Sequence, residues 1–189
     1  MRLGLSSPLE HKSPWEWAGK MNRMGCTSVN FPVDHTCDED LLEEYVKAAH
    51  EYGLTIAEVG AWCNPISPDA KVREAALIRC IEQLKLADKI GAKCCVNVSG
   101  SRGERWDGPY KENLTQETWD LVVESIQQII CLKALSLYKE SRGFQQDDPS
   151  QTIQTIFITS AIADKNRQNT KGTVVCLQDI CDKHAKRQW

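Results

Sequence analysis

The sequence predicts an α/β fold of the (β/α)8-barrel type, of which it carries the N-terminal half, about four βα units over residues 1–130, followed by an atypical tail, 131–189. Three observations predict it. A short apolar strand, a polar stretch and a capped amphipathic helix recur four times before residue 130. Parallel strands joined by crossover helices build either a closed barrel or a doubly wound sheet. The loop after the first strand, "SSPLEHKSP", lacks the glycines that cradle a dinucleotide pyrophosphate, and no P-loop pattern occurs anywhere, which favours the barrel.

The first strand is "RLGLSS", 2–7. A helix follows from Ser13, where Ser13-Pro14-Trp15-Glu16 has an N-cap serine, proline in the first turn and glutamate three residues on. The second strand, "CTSVNF", 26–31, stops at Pro32. Its helix is expected to start near Thr36, with Glu39 as the matching acid, and to close at Gly53. Leu41, Leu42, Tyr45, Val46 and Ala49 recur at helical spacing and are expected to face the sheet. The third strand is "LTIAEVGAW", 54–62. Ser67-Pro68 opens a long helix whose apolar positions include Val72, Ala76, Ile78, Leu84 and Ala87, closed by Gly91. The fourth strand lies in "KCCVNVSGSRG", 93–103, and a long loop then reaches Thr115, the expected cap of "QETWDLVVESIQQII".

After residue 130 this rhythm stops. Two strand-like runs remain, "TIQTIFITSAIA" and "TVVCLQDI", in a stretch rich in Gln, Ser, Thr and Lys. The abrupt change motivates the hypothesis that residues 131–189 are poorly ordered or read out of frame. Translation of the other two reading frames tests the second form of it.

Composition narrows the function classes. The chain has 189 residues, 41% hydrophobic and 26% charged, enough for one domain with a real core. Residues 131–189 carry nine Lys/Arg against six Asp/Glu, and the first 130 carry fourteen against twenty. An acidic body argues against a nucleic-acid partner, which selects for a basic face. No apolar run approaches membrane-spanning length and the start lacks a secretory signal pattern, so no membrane partner is expected. The nine cysteines are odd in number and set no close framework. Reduced thiols in a cytoplasmic protein are the expectation.

In barrels and open parallel sheets alike, sites form at the C-terminal strand ends. Those ends supply Ser6 and Ser7; Asn30, Asp34 and His35; Trp62 and Asn64; and Asn97, Ser99, Gly100, Ser101 and Arg102. Hydroxyls and amides suit a polyol, and an indole covers the apolar side of a sugar ring. Arg102, between Gly100 and Gly103, suits a phosphate or carboxylate through its guanidinium and exposed backbone N–H groups. The same residue types also build ordinary turns. Glu58 is the oddest residue in a strand, because a buried carboxylate there needs a partner; a barrel-interior ion pair is the simpler reading and a catalytic or supporting acid the alternative. His35 suits capping as well as chemistry, and His11 and His50 are expected at the surface. In the tail, Cys176, Cys181 and His184 are spaced irregularly for zinc, and chance is the simpler explanation.

At "LTIAEVGAWCNP", "GAKCCVNVSGS" and "MRLGLSSP" the chain resembles the sugar phosphate isomerase/epimerase family of the xylose isomerase-like TIM-barrel superfamily, over about residues 1–130. The resemblance implies metal-dependent proton transfer next to a carbonyl of a sugar or sugar phosphate, with Mn, Mg, Zn or Co as the divalent metal. It also implies that Asn30, Trp62, Asn64, Asn97, Ser99 and Gly100 line the substrate pocket, to which the strand-end reading above adds Arg102. The ligands it implies come from strands five to eight, marked by a Leu-Glu-Pro-like segment and a later His-x-Asp. This chain has neither, so no metal ligand and no catalytic residue transfers. The expectation is a truncated, inactive isomerase/epimerase-like protein that binds no metal itself and associates through its open barrel edges. The alternative is a non-catalytic carbohydrate-binding or scaffold protein. A metal-dependent endonuclease of the same superfamily fits the acidic body least.

Overall fold

The start of each helix shows how local chemistry lays out the chain. In this computed structural model, which describes residues 3–5, 9–141, 154–158 and 174–176 (side chains up to residue 130), Ser13 Oγ accepts from Glu16 N–H at 3.2 Å. Glu16 in turn accepts from Lys12 N–H at 2.8 Å. This begins α1 (Pro14–Arg23), after the short strand β1 (Gly4–Leu5). β2 (Ser28–Asn30) follows, then α2 (Glu39–Glu51), β3 (Thr55–Ala61), α3 (Ala70–Lys89) and β4 (Cys94–Val98). Two caps differ from expectation. Asp38, not Thr36, caps α2 by accepting from Asp40 and Leu41 N–H, and Asp69, not Ser67, caps α3 through Lys71 and Val72 N–H. In each case the aspartate stands two residues nearer the first turn and does the same chemistry. Gly53 and Gly91 end α2 and α3 with φ of +64° and +68°, where a side chain is strained.

A single 3-10 turn (Lys111–Leu114) leads to Thr115, whose Oγ1 accepts from Thr118 N–H at 3.2 Å and starts α4 (Gln116–Ser141). This helix continues eleven residues beyond the point where the sequence pattern is expected to lapse. The two strand-like runs of the tail hold β5 (Gln154–Ile158) and β6 (Val174–Cys176).

The strands lie in chain order, β1-β2-β3-β4-β5-β6, with every neighbouring pair from β1 to β5 parallel and β5–β6 antiparallel. A doubly wound sheet reverses its order at a switch point. Here the order never reverses, and the architecture is a partial (β/α)8 barrel.

The core fills the space between sheet and helices. Trp17, Phe31 and Tyr45 meet edge to face, with centroids 5.6 to 6.5 Å apart. His11 is not a surface residue. It is partly buried, its Nε2 2.7 Å from Tyr45 Oη and its Nδ1 2.8 Å from Leu9 O. Leu42, Tyr45, Ala48 and Ala49 form the inner face of α2, and Ala76, Cys80, Gln83, Leu84 and Ala87 that of α3. Leu41, Val72 and Ile78, expected inside, are exposed: Leu41 and Ile78 lie off these faces, and Val72, though four residues before Ala76, stands in the first turn of α3. No helix among the described residues is long and apolar enough to cross a membrane.

Candidate functional site

The C-terminal strand ends form two clefts. The first, about 550 Å³, lies at the ends of β2 and β3 and is lined by Asn30, Pro32, Asp34, Gly60, Trp62 and Arg79 among others. Its volume falls within the roughly 300–1,000 Å³ of small-molecule sites. Trp62 remains 48% exposed. Its indole lies over Gly60, where a Cβ would collide with the ring. Asp34 bonds Arg79 Nη2 at 2.8 Å, Thr36 Oγ1 at 2.6 Å and Thr36 N–H at 3.0 Å. The Thr36 hydroxyl first, and Arg79 with it, holds the Asp34 carboxyl down at about 2.

Gln83 sits beneath this cleft, buried, and the sequence reading missed it. Its Nε2 donates to Gly60 O at 2.7 Å, while its Oε1 accepts from His35 N–H at 2.8 Å and lies 3.2 Å from His35 Nδ1. One side chain thereby ties the β2 loop to the end of β3. The signal was present as an amide interrupting the apolar stripe of α3, but its purpose depends on contacts distant in sequence. His35 is held by this amide, in a bracing role.

The second cleft, about 320 Å³, lies where β4 meets α4 and is lined by Ile66, Ser99, Gly100, Leu114, Trp119 and Val122 among others. The loop beside it is braced from within. Ser101 N–H goes to Asn64 Oδ1, Arg102 N–H to Asn113 Oδ1 and Gly103 N–H to Ser101 Oγ. Three successive amides that the sequence offers to an anion are thus spent on the loop itself. Asn113 also donates to Ser101 Oγ and Gly108 O, both at 3.1 Å.

The residues expected to line one pocket are therefore distributed. Asn30 and Trp62 share the first cleft, and Ser99 and Gly100 share the second. Asn64, Asn97 and Arg102 line neither. Asn64 grips the loop, and Arg102 is partly exposed beside it. Asn97 pairs in register with Ala61 and is fully buried on the face it shares with Cys95. Asn97 Oδ1 and Ser99 Oγ are buried without a partner among the described residues. Ser6, Ser7, Cys181 and His184 lie outside those residues.

Glu58, in register with Cys94, makes no ion pair among the described residues. Burial alone pushes its carboxyl above the usual range. No three His, Cys, Asp or Glu side chains among the described residues form a group that could hold a metal ion.

Solved structures similar in fold include two epimerases. D-psicose 3-epimerase from Clostridium cellulolyticum H10, determined with D-tagatose, is 19% identical over 71% of this chain and 49% of its own, with a TM-score of 0.53. The 3-keto-D-glucoside 4-epimerase of E. coli, in its apo form, is 16% identical over 71% of this chain and 53% of its own, with the same TM-score. The chain thus spans about half the length of the structures it matches. No curated protein matches the sequence. The family model of the xylose isomerase-like TIM barrel matches residues 19–134, and with that order of strands the chain belongs to this family.

Proposed function

We propose that this chain is the sugar-facing half of an epimerase/isomerase-like barrel and that the cleft at the ends of β2 and β3 takes an unphosphorylated sugar. The observation that carries this reading is Trp62, a half-exposed indole fixed over Gly60 at the rim of a polar cleft. Its face is suited to the C–H side of a sugar ring. Asn30 and the Asp34–Arg79 pair beside it suit hydroxyls, as acceptors and charge-assisted donors. An uncharged sugar is favoured over its phosphate because the Arg79 guanidinium in this cleft is already paired with Asp34.

A divalent metal, which the family resemblance implies, does not fit the donors that the described residues bring together. Asp34 is engaged by Thr36 and Arg79, Glu58 stands in a strand beside Cys94, and no third ligand joins either. In this reading the described half binds and orients the sugar, and the proton transfer belongs to groups outside it. Residues 1–130 form the binding unit in this reading.

Isothermal calorimetry of the full chain with D-tagatose, D-fructose and fructose 6-phosphate tests the proposal. Saturable binding of a free sugar, tighter than that of the phosphate, supports it. Absence of binding to either free sugar overturns it.

A further inference from the structure

Cys63 follows Trp62 at the end of β3, and Cys80 follows Arg79 on the inner face of α3. Their sulfurs are 3.5 Å apart. Cys63 is partly exposed, whereas Cys80 is wholly buried. A disulfide needs about 2.05 Å between sulfurs, so an approach of about 1.5 Å completes the bond, within reach of small side-chain rotations.

We propose that Cys63 and Cys80 form a redox-modification site, a dithiol that a hydroperoxide converts into an intramolecular disulfide. The two cysteines differ in the way such a reaction requires. The contact with Cys80 and the charge of Arg79 lower the Cys63 pKa against the cost of burial. The same contact, together with burial, raises Cys80. Cys63, the more exposed of the two, is therefore the attacking sulfur, and the buried Cys80 resolves the product. The Cys63 thiolate attacks one peroxide oxygen and the O–O bond breaks. The leaving oxygen takes a proton as water or alcohol, and Cys63 becomes a sulfenic acid, oxidised by two electrons. Cys80 loses its proton as its sulfur attacks Cys63, and the displaced hydroxide leaves as water. With hydrogen peroxide the sum is one disulfide and two waters from two thiols and one oxidant.

The bond joins the end of β3 to α3, directly behind two residues that line the first cleft. Oxidation thus acts on the positions of Trp62 and Arg79. The inference is independent of what the cleft binds, because it rests on the sulfur pair alone.

The test uses the full chain, reduced and then exposed to stoichiometric hydrogen peroxide. Remaining thiols are blocked with N-ethylmaleimide in denaturant, and the chain is digested without reduction. Trypsin cuts at Lys71, Arg73 and Arg79, so the two cysteines fall on separate peptides. The expected product is a Cys63–Cys80 linked pair two hydrogens lighter than its parts, lost on adding dithiothreitol. In Cys80→Ser the link is replaced by a dimedone adduct on Cys63. Recovery of Cys63 as its maleimide adduct while other cysteines oxidise overturns the proposal. So does a link from Cys80 to Cys95, another buried cysteine. The wild-type digest decides the matter even if the serine variant does not fold.

Discussion

Asn64 grips the peptide of Ser101 at both ends, donating from Nδ2 to Ser101 O at 2.7 Å and accepting Ser101 N–H on Oδ1 at 3.0 Å. The loops after β3 and β4 are thereby joined by a buried side chain. Asn64→Ala strands two backbone groups, and each stranded group costs about 1–3 kcal/mol, so a loss of about 2–6 kcal/mol is expected in urea unfolding. Gly100 adds a second constraint. Its φ is +92°, and a Cβ there would collide with Asn64 Oδ1. Gly100→Ala is expected to cost about 2 kcal/mol or more alone. It should cost less in the Asn64→Ala background, where the collision is gone. A double-mutant cycle reads that coupling, and strict additivity would refute the collision.

Trp62 separates binding from folding. Because nearly half its surface is already in water, Trp62→Ala is expected to change stability by less than about 1 kcal/mol. Affinity for D-tagatose should fall about ten-fold, the equivalent of about 1.4 kcal/mol. Trp62→Phe should retain most of it, since a flat aromatic face remains. Calorimetry paired with thermal denaturation checks both numbers on the same preparations.

What was legible in the sequence was local. The Ser13 and Thr115 caps and the glycines at 53 and 91 act within a few residues, and they appear where the pattern puts them. Thr36 and Ser67 misled because Asp38 and Asp69 offer the same oxygen two residues nearer the helix. The helix-face errors at Leu41, Val72 and Ile78 arose because apolar residues spread more widely than the face that is buried. The rule that sites form at strand ends pointed to Asn30 and Trp62, which both line the first cleft. It gave no warning that Asn64 and Asn113 would fold the β4 loop onto itself and divide the rim in two. The purpose of Gln83 was illegible because its three contacts go to Gly60 in β3 and to His35 in the loop after β2.

The Asp34–Arg79 pair gives a pH signature at the acid end. Asp34's carboxyl is held at about 2, below its ordinary value of 3.8, by Thr36 first and by Arg79. Its contribution is therefore fully present above the ordinary value and is lost as pH falls through about 2. Asp34→Asn is expected to cost about 1 kcal/mol or less at neutral pH, because both partners are about a third exposed and solvent screens them. The difference from wild type should close as the pH approaches 2. Urea unfolding across that range measures it. A gap that stays constant down to the lowest pH would show that Asp34 contributes by packing and not by charge.

Glu58 gives the opposite sign. Burial raises its folded pKa above the ordinary 4.5, so the folded chain holds that proton more tightly than the unfolded chain. Stability from this group is fully present below the ordinary value and is lost as pH rises through the raised one. Glu58→Gln keeps the shape and removes the charge. The substitution is expected to leave stability near pH 4 unchanged and to raise it at pH 7 by a few tenths to about 1 kcal/mol, a modest gain because the site is only half buried. A second readout is chemical. The Cys94 thiol is raised by burial first and then by the Glu58 charge, and its sulfur contacts Ala57 O at 3.3 Å. Without that charge the thiolate forms at lower pH, so the maleimide pH profile of the Cys94 peptide should shift toward acid in Glu58→Gln. An unshifted profile with unchanged stability at neutral pH would mean that Glu58 turns to solvent and that the sheet tolerates its charge.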